Sequence, residues 1–207
     1  MRARSSNVDS VSGSSSRSSG DTADTAASSS RARLNHSSTA TDCTGILLVG
    51  GAGARFGSPK PLARLDGETL AEKAWRTLSW CDERLAVGKA ADALDLPFPV
   101  VDDGTLERAP VFGVVAGLRT ARHDVCVVLP VDCPLVTEEV LRELAAAVAV
   151  VQTGPLPGAY TKAMLPALEV RIARGELSLR GVNPRVVQVD PELLVNVNTP
   201  DELARLR

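Results

Sequence analysis

Apolar residues in this chain cluster into short runs that alternate between two periods. Residues 44–49 (T-G-I-L-L-V) form a continuous apolar run ending in Gly50-Gly51, the pattern of a strand buried on both faces. Between residues 68 and 80, Leu70, Ala71, Ala74, Trp75 and Leu78 fall at helical spacing. Residues 84–87 and 98–101 read as two further strands, the second followed at once by Asp102-Asp103-Gly104, a turn signal. A helix is expected over 112–122. The most apolar strand, D-V-C-V-V-L at 124–129, stops at Pro130. Thr137 is placed to cap a helix whose apolar face is Leu141, Leu144, Ala145 and Val148. Beyond it the pattern gives a strand over 156–160, a helix over 163–174, short strands over 186–189 and 194–197, and a last helix over 200–206. Strands alternating with helices imply an α/β fold: a mostly parallel sheet with helices on both faces, whose ligands sit outside the carboxyl ends of the strands.

Composition divides the chain in two. Residues 1–43 are a Ser/Arg-rich tail with almost no large apolar side chains, too little to offset the entropy of ordering, and are expected to be disordered. Residues 44–207 are long enough to bury a full core as a single domain. Asp9, Asp21 and Asp24 argue against an organelle transit peptide, which leaves a dispensable extension or an upstream initiation site. A formal net charge of −2 and the lack of a basic stripe speak against nucleic acid as a partner. No apolar run nears the roughly 18 residues of a membrane span, so no membrane partner and a cytoplasmic location are expected. The four cysteines lack C-x-x-C spacing and read as reduced thiols.

The loop G-G-A-G-A-R-F-G-S-P-K at 50–60 carries the chemistry. Its glycines would let backbone N–H groups approach an anion, and Arg55 and Lys60 supply positive charge for a polyphosphate. A P-loop is excluded because Pro59 and Pro61 flank Lys60 where Gly and Ser or Thr would stand. The same prolines prevent the helix that a dinucleotide fingerprint on Gly51, Gly53 and Gly57 would start. A phosphate cradle and a plain glycine-rich turn remain. Asp132 ends the most apolar strand, a poor place for a merely solvated carboxylate, and suits a hard cation shared with substrate phosphates. Asp103 also ends a strand, where an acid can equally form the turn. Asn196 and Asn198 flank Val197 and would share one face of a strand, or serve the turn before a helix that Thr199 caps.

With P-V-V-D-D (99–103), L-P-V-D-C-P (129–134), P-L-P-G-A-Y (155–160) and N-V-N-T-P-D-E-L (196–203), in order after the glycine-rich loop, the chain resembles the molybdenum cofactor nucleotidyltransferases over nearly all of its length past Gly45. That resemblance implies a three-layer Rossmann-like nucleotidyltransferase fold and transfer of a nucleoside monophosphate to the phosphate of molybdopterin, with Mg²⁺ and release of pyrophosphate. It implies that Leu48, Val49, Gly50 and Gly51 lie along the nucleoside, that Arg55 and Lys60 hold the triphosphate, that Asp103 contacts the nucleotide and that Asp132 binds Mg²⁺. Asn196 and Asn198 would lie near acceptor or metal. Gly50-Gly51 favours GTP, as in the guanylyl branch, over CTP. Molybdoenzymes or their chaperones are the implied protein partners. The remaining readings are a cytidylyltransferase, a relative with another phosphate acceptor, and a non-catalytic nucleotide-binding adaptor. Where the family often has Asn after its second strand, this chain has Val87-Gly88-Lys89, which leaves one contact unassigned. No general base is evident, and neither His36 nor His123 sits in a motif.

Overall fold

The computed structural model describes residues 41–50, 56 and 59–206. The first apolar run is β1 (Thr41–Leu48), which starts ahead of residue 44 and carries the fully buried Cys43 into the core. A hairpin that the apolar pattern does not show follows: β2 (Arg64–Leu65) and β3 (Glu68–Thr69), antiparallel and joined by Asp66-Gly67. Both turn residues have positive φ, 53° and 89°, the geometry that Asp-Gly tolerates in a tight two-residue turn. α1 (Leu70–Thr77) is held at its start by a reciprocal pair of bonds. The Thr69 hydroxyl accepts from the Glu72 N–H at 3.1 Å, and the Glu72 carboxylate accepts from the Thr69 N–H at 2.9 Å.

Then come β4 (Cys81–Gly88), β5 (Val100–Asp102), α2 (Pro110–Thr120) and β6 (Val125–Pro130). α3 (Glu138–Ala147) has Thr137 at its cap position, but the hydroxyl makes no capping bond. It is followed by β7 (Val150–Val151), also unforeseen, and β8 (Gly158–Thr161), then α4 (Leu165–Ala173), β9 (Val186–Val187) and α5 (Pro200–Ala204), which Thr199 caps as expected. The strand expected over 194–197 is absent: Pro191–Leu194 is a 3₁₀ turn. The Val197 N–H bonds the carbonyl of Asp132 at 2.8 Å instead of joining a strand ladder.

Seven of these strands form one sheet in the order β5-β4-β1-β6-β8-β7-β9. β5, β4, β1 and β6 run parallel, and β7 and β9 are parallel to each other; β8 is antiparallel to both of its neighbours. Alternation along β1 makes the three layers. Cys43, Leu47 and Val49 pack with Leu78, Leu141, Leu144 and Leu203 of the α1, α3 and α5 side, while Ile46 and Leu48 pack with Val114, Leu118 and Leu168 of the α2 and α4 side. Close contact between α2 and β1 depends on Gly113 and Gly117. A Cβ on Gly117 would stand 2.7 Å from Ile46 Cδ1, and one on Gly113 would stand 2.8 Å from Leu48 Cδ2. All four cysteines are free and buried. Among the described residues no helix is long and apolar enough to cross a membrane.

Candidate active site

The four parallel strands deliver their carboxyl ends to one edge, in the spatial order Asp102-Asp103 after β5, Gly88-Lys89 after β4, Leu48 to Gly50 after β1, and Pro130 to Asp132 after β6. A cavity of about 350 Å³ opens there. Leu48, Val49, Gly50, Lys60, Asp103 and Asp132 all line it, so six of the residues marked from sequence come together. Gly51 and Arg55, with Gly53 and Gly57, lie outside the described residues.

At the β6 end, Lys60 leads a 3₁₀ turn fixed by the proline before it and the proline after it. Its Nζ lies 3.4 Å from Asp132 Oδ2 and donates to Asn198 Oδ1 at 3.0 Å. The Lys60 side chain is 12% exposed and that of Asp132 29%. The segment 196–198 is tied in at two further points: the Val197–Asp132 backbone bond, and the Cys133 thiol donating to Asn196 Oδ1 at 2.9 Å. Burial and the adjacent Asp132 carboxylate push the Cys133 thiol well up, so it stays protonated and keeps its donor. Both asparagines thus reach the Lys60–Asp132–Cys133 knot without a strand, since buried Val197 turns its two neighbours outward. Two hard oxygens, one anionic and one neutral, already face a single cation, the ammonium of Lys60. The same donors suit a hard divalent ion that completes its shell with water and phosphate oxygens.

At the β4–β5 end stands a second ion pair that the sequence left unassigned. Lys89 Nζ donates to Asp103 Oδ2 at 2.8 Å, to Asp103 Oδ1 at 3.0 Å and to the Thr105 carbonyl at 2.9 Å. Its side chain is 6% exposed and that of Asp103 7%. Asp103 therefore serves the turn, as one sequence reading has it, through its bond from the Thr105 N–H at 3.2 Å, and also faces the cavity. Arg108, Pro110, Gly113 and Leu156 complete the wall, and Arg108 is paired to Asp92 at 2.6 Å. A lysine directly after a strand end and opposite an Asp-Asp-Gly turn was the available signal for Lys89. At the amino edge of the sheet Asp42, Asp82 and His123 bring ligand atoms within 4.8 Å of one another, remote from this cavity.

The cavity thus has Lys60 with Asp132 at one end and Asp103, neutralised by Lys89, at the other. The model of the MobA-like NTP transferase domain matches residues 45–184. A probable molybdenum cofactor guanylyltransferase of Aquifex aeolicus is 32% identical over 179 residues, covering 79% of this chain and 89% of that protein. A molybdenum cofactor guanylyltransferase of Pseudomonas putida is 35% identical over 191 residues, covering 78% and 95%. The solved structure of molybdopterin-guanine dinucleotide biosynthesis protein A from Archaeoglobus fulgidus superposes with a TM-score of 0.66 at 26% identity, covering 78% of this chain and 95% of that one. The 2-C-methyl-D-erythritol 4-phosphate cytidylyltransferase of Thermus thermophilus, 16% identical with a TM-score of 0.60 over 78% and 95%, shares the fold.

Proposed function

The chain belongs to the MobA-like NTP transferase family, and from that premise we propose that it transfers GMP from GTP to the phosphate of molybdopterin, releasing pyrophosphate and forming the guanine dinucleotide cofactor. The observation that carries the reading is the convergence of Lys60, Asp132 and Asn198 at the mouth of a cavity on the carboxyl edge of the parallel strands. There a cation is held by groups still partly open to solvent.

The attacking atom is a phosphate oxygen already anionic at neutral pH, so the protein needs no general base. Its work is positioning and charge neutralisation. Lys60 leaves the Asp132 and Asn198 oxygens for the triphosphate, where its ammonium stabilises charge moving onto the departing pyrophosphate. Arg55 joins it from the glycine-rich loop. Asp132, with Asn198 beside it, would hold Mg²⁺, which would supply neutralisation of the phosphate oxygens. Leu48, Val49 and Gly50 support the nucleoside, and Asp103 faces it. Asn196, oriented by the Cys133 thiol, borders the side from which the acceptor phosphate approaches.

Pyrophosphate release by the full chain with molybdopterin and Mg²⁺, compared across GTP, CTP, ATP and UTP, tests this reading. Release with GTP supports it. Release with CTP alone makes the chain a cytidylyltransferase, and GTP binding without release makes it an adaptor.

A further inference from the structure

Lys89 takes no part in the transfer just described, yet its ammonium is almost sealed from solvent on the cavity wall. An ammonium has three N–H donors, and Lys89 spends all three within the protein: two on Asp103 and one on the Thr105 carbonyl. It has nothing left to offer a ligand directly and must act through Asp103. A carboxylate has about four acceptor positions. Asp103 Oδ1 accepts from Lys89 and from the Thr105 N–H, whereas Oδ2 accepts, among the described residues, from Lys89 alone. One acceptor position therefore remains on Oδ2, on a residue that lines the cavity.

Position along the edge says what meets that oxygen. Asp103 follows β5 and Asp132 follows β6, three strand spacings away, roughly 14 Å. A nucleotide with its phosphates at Lys60 and Asp132 extends its nucleoside toward Asp103. A lone acceptor cannot take the two adjacent N–H groups of a guanine edge as a fork, but it matches a single hydroxyl.

We propose that Lys89 is a positioning residue that locks Asp103 so that one carboxylate oxygen reads a ribose hydroxyl, making the pocket selective for ribonucleotides over their deoxy forms. The proposal rests on the nucleotide reading of the cavity. Asp103 without Lys89 would be free to rotate or to draw in water, and the acceptor would lose its fixed direction.

The test is calorimetric titration of GTP, 2′-deoxy-GTP and 3′-deoxy-GTP, with Mg²⁺, into the full chain, into Lys89→Met and into Lys89→Met/Asp103→Asn. The double variant carries no unpaired buried charge and keeps the test open should the single variant fail to fold. The unsubstituted protein is expected to bind one of the two deoxynucleotides roughly ten- to a hundredfold more weakly than GTP, the worth of one hydrogen bond to a charged acceptor. In the variants that nucleotide and GTP should bind within about threefold of each other. Equal binding of all three by the unsubstituted protein overturns the proposal, as does a variant that binds every nucleotide more weakly while keeping the original preference. A protein that binds none of the three overturns the nucleotide reading itself, a result distinct from either.

Discussion

Asp132→Asn separates a residue kept for chemistry from one kept for the fold. The Lys60–Asp132 contact is 3.4 Å long. At that distance two unit charges attract by about 1 kcal/mol in water and about 5 kcal/mol at an effective dielectric of 20. With Asp132 29% exposed, and with Lys60 retaining Asn198 Oδ1 at 3.0 Å, the loss belongs at the low end, about 1 kcal/mol. For a domain of this size that lowers Tm by about 2–4 °C and leaves the protein folded at 25 °C. On the proposed reading, losing the charge that would anchor the metal and align the phosphates should cost about 100- to 1000-fold in turnover, as removal of a preorganised charge-stabilising group does in other sites. Thermal unfolding and pyrophosphate release measured on the same preparation decide it. Turnover within about threefold of the parent would refute the role of Asp132. A collapse of Tm large enough to account for the lost activity would recast it as a structural acid.

Other expected outcomes follow from the same geometry. Asp103→Ala, which strands the buried Lys89 ammonium, should lower stability by about 3–5 kcal/mol, several times the effect of Asp132→Asn, as read from urea midpoints; equal losses would contradict the burial argument. Gly117→Ala should gain about 1 kcal/mol in helix propensity and lose more by forcing a Cβ to within 2.7 Å of Ile46 Cδ1, for a net destabilisation of up to about 2 kcal/mol. A stabilised variant would mean that α2 does not approach β1 this closely. Burial by itself would raise the Glu83 carboxyl, but the Arg122 backbone N–H, the Thr44 hydroxyl and the Arg122 guanidinium together hold it below its ordinary value. Its contribution is therefore complete above the usual Glu pKa of about 4.3 and is lost as pH falls through the lower folded value, so Glu83→Gln should flatten the acid limb of the stability curve. Excess EDTA should stop pyrophosphate release and added Mg²⁺ restore it; turnover that survives chelation would remove the metal from the proposal.

What the sequence revealed depended on how locally each feature is encoded. β1 and β6 were legible because a strand buried on both faces needs an unbroken apolar run, α1 because its apolar residues fall at helical spacing, and α5 because Thr199 is placed to cap it. The β2–β3 hairpin carried its own signal in Asp66-Gly67 but had only two residues a side, too few to show alternation. β7 is two residues long and is a strand only because β8 and β9 flank it. The segment 194–197 looked like a strand, but the hydrogen bond of Val197 goes to Asp132, and no local pattern encodes a partner sixty-odd residues away. In the site, Lys60 and Asp132 could be marked from the loop and the strand end, and their mutual contact could not. Lys89 was missed because a lysine reads as a solvated residue until its carboxylate is found on the neighbouring strand.

The two ion pairs on this edge show how one chemistry is given two tasks by burial alone. Both join a lysine to an aspartate that follows a strand end. Lys89 and Asp103 are closed off at 6% and 7% exposure, with every ammonium donor spent, so exchanging either for a ligand would leave a charge unpaired away from water. Lys60 and Asp132 meet at a longer 3.4 Å with 12% and 29% exposure, an attraction weak enough for a polyphosphate to draw the lysine away while a cation takes its place on the carboxylate. In the proposed exchange an anionic phosphate would replace Asp132 at Lys60 and the metal would replace Lys60 at Asp132, so neither group would be left without a counter-charge. An edge built from two equally tight pairs would bind nucleotide poorly, and one built from two loose pairs would fix neither end of it.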